Sequence, residues 1–136
     1  MDAGALADRW RALLARAPAP GEVFRDPRDA GSLTATALEI HTPAAAARAA
    51  AILAQAELDP ATRLACARGL AEGGRGAEAL AVLLADPATH AHPDAVPVLQ
   101  ACLRSHHIPR PVAAMAWHLL WRLNPRRRGG GTRAPA

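Results

Sequence analysis

The side chains able to do chemistry in this sequence are six histidines, two cysteines and a glycine-rich turn, and their spacing speaks against the usual sites. His90 and His92 are separated by one residue, and His106 and His107 are adjacent; both pairs fall in predicted breaks between helices. Neighbouring helical residues point about 100° apart, so neither pair makes a two-ligand face. No Cys/His set has zinc-module spacing, and no metal or other cofactor is expected. Gly73-Gly74-Arg75-Gly76 has the composition of a phosphate-binding loop but follows a helix rather than a strand, so helix capping accounts for it better. Serine-hydrolase and HExxH motifs are missing. Cys66 and Cys102 are too few for a disulfide framework and lie in helical runs, which reads as buried free thiols. A Cys66 nucleophile with a distant histidine is the remaining catalytic reading, in an enzyme or an accessory subunit of one. The leading expectation is a non-catalytic protein.

Recognition chemistry is better represented. A last helix is predicted over 111–124, with Val112, Met115, Ala116, Leu119, Leu120 and Leu123 on one face at about 100° per residue. Trp117 and Trp121, one turn apart, fall nearly opposite, with Ala114 between them, Arg110 extending the stripe and His118 beside it. A helix apolar on both sides needs cover on both. The second cover can come from the N-terminal helix or the 18–31 loop, from another copy of the chain, or from a different partner. Trp and Arg dominate binding hot spots, so Trp117, Trp121, His118, Arg110 and Arg122 are the candidate partner-binding residues.

Charge is unevenly spread. All 12 acidic residues lie at or before Asp94, alongside nine arginines; beyond it stand seven arginines, three histidines and no acid. A basic C-terminal third suits an acidic partner or nucleic acid, and Arg104, Arg126, Arg127 and Arg128 are the candidates for the latter. Residues 125–136 carry no apolar anchor and are expected to form a disordered basic tail.

The elements that must position these residues are organised around 59–85. Asp59-Pro60 is a helix start, with a side-chain acceptor followed by a residue that needs no N–H partner. Leu64, Ala67, Leu70 and Ala71 follow at helical spacing, and Gly73-Gly74 ends the run. A second helix over 76–85 carries Leu80, Leu83 and Leu84, and Asp86-Pro87 opens a further turn. Pro60 and Pro93 are 33 residues apart, as are Leu70 and Leu103, and Thr42-Pro43 begins another helix 17 residues before Pro60. That spacing suits stacked helix pairs. The run D-P-x-x-R-L-A-x-A-x-x-L, Asp59 to Leu70, resembles the first helix of HEAT-like (armadillo-type) repeats, of the degenerate kind common in high-GC bacteria; the resemblance spans roughly 42–123. It implies a short right-handed α-solenoid-like stack of six to seven helices serving as a protein-binding scaffold or adaptor, which would hold its partner on the last helix or on its concave face. The Trp and Tyr positions of tetratricopeptide repeats are not matched.

One all-α domain over 1–124 is therefore expected. It comprises an amphipathic helix over 1–17 with Trp10 in its apolar stripe, a loop over 18–31 pinned by Phe24, and stacked pairs over 32–124, with Ser32 capping the first. The 36 alanines favour helix and close helix approach. No apolar run approaches the ~18 residues of a membrane span, and the N-terminus lacks a signal-peptide layout. A cytoplasmic protein is expected, with a protein partner, possible homodimerisation and no membrane contact.

Overall fold

The computed structural model describes residues 2–105 and 108–123. Eight helices account for the regular structure among them: α1 (Ala3–Arg16), α2 (Arg28–Ile40), α3 (Pro43–Gln55), α4 (Pro60–Glu72), α5 (Gly76–Leu84), α6 (Pro87–His90), α7 (Ala95–Leu103) and α8 (Arg110–Leu123). The fold is all-helical; the only β feature among the described residues is an isolated bridge between Val23 and Glu57.

The predicted starts are largely realised, each for a local reason. Asp2 and Thr42 accept from the N–H groups of Ala5 and Ala45, satisfying donors that a helix start leaves free. Pro43, Pro60 and Pro87 each sit in the first turn of their helix. Gly74 takes a positive φ of 83°, and the Arg75 N–H then reaches back 2.8 Å to the Leu70 carbonyl, closing α4.

Three expectations need correction. Ser32 is not a cap: α2 begins four residues earlier, where the Asp26 carboxylate accepts from the Arg28 N–H at 3.0 Å, and the loop is correspondingly shorter. Asp59 makes no side-chain capping bond, although Pro60 still opens α4. Pro93 lies outside α7, which starts at Ala95, so the 33-residue offset does not join equivalent helix positions.

Packing proceeds along the chain. α1 lies on α2; α2, α4 and α7 pack consecutively, and α3 and α5 pack together beside them. α4 and α5 form the most intimate pair, and α8 lies on α7 with a smaller contact to α5. The core runs through this arrangement: Leu33, Leu53, Leu70, Leu83 and Leu99 are all but inaccessible to solvent. Phe24 is buried and anchors the loop as expected. The same loop is tied to the α3–α4 turn, with Gly21 N–H donating to the Gln55 carbonyl at 2.8 Å and Glu57 N–H to that of Glu22 at 3.1 Å. No helix among the described residues is long and apolar enough to cross a membrane.

Two features hold the middle of the helical packing. Arg63 is 4% exposed, and its Nη1 and Nη2 donate to the carbonyls of Leu53 and Ala56, both at 2.8 Å. These carbonyls belong to the C-terminal end of α3, where the last turn lacks intrahelical donors and carries partial negative charge. The longer 3.5 Å approach of Nη1 to Val82 O adds the end of α5. The second feature is Gly76: a Cβ there would stand 2.7 Å from both Cys102 O and Ser105 Oγ, so α5 meets the end of α7 at a distance only glycine permits.

Candidate interaction surface

α8 begins just after Pro109, whose carbonyl receives the Ala113 N–H at 3.0 Å, and carries a second proline, Pro111, in its first turn. Its inner face is held by buried Ala116 and Leu119, with Val112, Leu120 and Leu123 half-buried against the core. Met115 departs from the predicted inward set: it lies at the border of that face and is 41% exposed.

The outward side separates the two tryptophans. Trp117 is 58% exposed, whereas Trp121 is half-buried, its indole Nε1 shielded and without a hydrogen-bond partner. Arg110, on the same stripe, and His118 and Arg122, further round the helix, are exposed. α1 packs on α2 and the loop is tied to the α3–α4 turn, so neither provides the second cover over Trp117. Of the five residues predicted for partner binding, Trp117, Arg110, His118 and Arg122 thus lie open on one helix, and Trp121 is partly withdrawn.

Sequence reasoning did not anticipate the cleft beside this helix. His90 and Ala91, from the end of α6, face Leu119, Arg122 and Leu123 across a space of about 80 Å³. Its floor is leucine and its rim carries an imidazole and a guanidinium. The i, i+4 spacing of Leu119 and Leu123 was legible; the arrival of α6 opposite them was not. A second cleft, about 450 Å³, lies between the end of α1 and the loop, where Arg16 and Asp29 are already paired through bonds of 3.0 and 3.2 Å.

The remaining candidates are distributed elsewhere. Arg104 is exposed at the C-terminal cap of α7. Arg126, Arg127 and Arg128, the pair His106-His107 and the predicted tail lie outside the described residues. His92 Nδ1 accepts from the Asp94 N–H at 3.1 Å, and no group of three metal-ligating side chains occurs among the described residues. Cys66 and Cys102 are buried. Burial pushes both thiols up, Cys102 to about 11, so each stays protonated and poorly nucleophilic near neutrality. For Cys66, the Thr34 hydroxyl and the nearby Arg63 charge oppose that shift without cancelling it.

Arg63 also escaped the sequence reading, although a signal was present. It precedes Ala67 and Leu70 at i+4 and i+7, which sets an arginine on the buried stripe of α4. No family model, curated protein or solved structure matches this chain.

Proposed function

We propose that this chain is a non-catalytic protein-interaction module, a short HEAT-like stack of helix pairs that holds a protein partner through the outward face of α8. The observation that carries the reading is Trp117, 58% exposed on a helix whose opposite face is packed, with exposed Arg110 on the same stripe and His118 beside it. Trp and Arg are among the residues most enriched at binding hot spots. The consecutive packing of α2, α4 and α7 beside α3 and α5 supports the repeat-like build, with α1 as an added end helix.

The test is capture from a native extract with tagged intact chain and with Trp117→Ala, read beside circular dichroism. Loss of a captured protein by a folded variant supports the reading; identical capture by both refutes it for this face. Exposed Arg104, Arg110 and Arg122 favour nucleic acid as the second reading. It requires binding to an oligonucleotide that weakens steeply with salt.

A further inference from the structure

Resting on the proposed use of α8, we infer that the protein held on this face is a second copy of the chain. The two α8 helices lie antiparallel about a twofold axis that passes midway between Ala114 and Trp117. The seam itself is the first argument. Arg110, Ala114, Trp117 and Trp121 are spaced by four, three and four residues, the interval of a two-helix seam. At about 100° per residue they fall within about 60° of arc. Buried Ala116 and Leu119 lie on the other side of the helix, so a second helix meets this stripe without disturbing the core. Arg110, Ala114 and Trp117 are exposed, and Trp121 is half-buried.

The residue types are the second argument. A twofold interface is self-complementary, each residue meeting on the other copy the one that meets it in return. About this axis Ala114 of each copy stands against Trp117 of the other, and Arg110 against Trp121. The central contact sets a small residue against a large one, the alternation that fills a helix–helix interface. The outer contact brings a guanidinium to an indole, whose π-system attracts a cation. Spacing alone makes the positions symmetric; the side chains make them complementary. Parallel pairing would oppose tryptophan to tryptophan, alanine to alanine and arginine to arginine, with crowding, a gap and like charges in turn. In the antiparallel order the two Arg110 groups stand about 16 Å apart along the seam at 1.5 Å per residue, roughly two Debye lengths at physiological salt.

Size sets the strength. Hot spots cluster near the centre of an interface, and the two Trp117 side chains flank the axis. A single helix of 14 residues, about 21 Å long, buries less than the ~800 Å² per partner of a standard interface. The dimer is therefore weak and concentration-dependent.

The experiment is sedimentation equilibrium of the intact chain over a concentration series, beside Trp117→Ala, Ala114→Trp and the exchanged pair Ala114→Trp/Trp117→Ala. The intact chain should move from the mass of one copy towards that of two. Each single variant should weaken association about tenfold or more, one by leaving a gap and the other by setting tryptophan against tryptophan. The exchanged pair again places a large residue opposite a small one and should regain the dimer. Circular dichroism checks that the variants, altered only at exposed positions, are folded; the mass of the intact chain decides the first step without them. An intact chain that stays monomeric, a dimer indifferent to Trp117→Ala, or an exchanged pair no better than the single variants overturns the inference. Capture from native extract separates this failure from that of the interaction reading. A monomeric chain that takes up a different protein through Trp117 overturns the inference alone, whereas a monomeric chain with capture equal to that of Trp117→Ala overturns both.

Discussion

Arg63, in the first turns of α4, donates through Nη2 to the carbonyl of Ala56 at 2.8 Å and so closes the end of the preceding helix from inside the core. Among the described residues its Nε has no hydrogen-bond partner and no carboxylate pairs with it; the end of α3 supplies the compensating partial charges. Arg63→Met keeps the stem but leaves the Leu53 and Ala56 carbonyls without these donors. It should cost about 2–4 kcal/mol, since an unsatisfied buried polar group costs ~1–3 kcal/mol. Arg63→Lys, with a point charge in place of a fork, should fall between. Urea unfolding of the three proteins measures the order.

Glycine substitutions should split by position. At Gly76 an alanine Cβ would meet Cys102 O and Ser105 Oγ at 2.7 Å, and forcing α5 from α7 should cost about 1–3 kcal/mol. At Gly31, in α2, a Cβ meets nothing within 4 Å, so Gly31→Ala should stabilise by about 0.5–1 kcal/mol through helix propensity. Thermal melts of both variants give the signs directly.

The tetrapeptide Asp-Pro-Ala-Thr occurs at both 59–62 and 86–89, yet its aspartates differ. Asp86 accepts from the Ala88 N–H at 3.2 Å and from the Thr89 hydroxyl at 2.9 Å. Asp86→Ala should therefore cost about 1 kcal/mol, the usual worth of a cap. Asp59→Ala, with no such bond to lose, should cost clearly less. Chemical denaturation of the pair tests the difference.

Cys102 makes stability depend on alkaline pH. Its thiol, normally at 9.0, is pushed up to about 11 by burial, so above pH 9 the unfolded chain holds fewer protons there than the folded one. The contribution of the neutral thiol is complete below pH 9 and is lost as pH rises towards about 11. Cys102→Ala should flatten that part of the stability profile. A thiol reagent at neutral pH should label neither cysteine faster than the protein opens.

The two sides of α8 should respond unequally to truncation. Trp117→Ala changes an exposed position and should stay within about 0.5 kcal/mol of the parent. Leu119→Ala, on the buried side of the same helix, should cost about 2–5 kcal/mol. A Trp117→Ala protein that melts many degrees early would show the indole to be structural.

The sequence by itself determined the helical class and most helix starts, because these depend on residues within a turn of one another. Thr42-Pro43 and Asp86-Pro87 cap and open their helices from local chemistry, and Gly74 stops α4 because it enters the left-handed region without steric cost. The start of α2 was legible in principle too, in Asp26-Pro27, but Ser32 offered a competing cap. The helical wheel also placed Ala116 and Leu119 inward and Trp117 outward. What periodicity cannot carry is the identity of the neighbour. Trp117 and Trp121 share a stripe, yet one is open and the other half-covered; Arg63 is buried because the end of α3 meets it with unpaired carbonyls. The His90–Arg122 cleft exists because a single-turn helix distant in sequence arrives beside α8. Local geometry chooses conformation, while burial and site formation depend on which surfaces the chain brings together, and that only the tertiary structure decided.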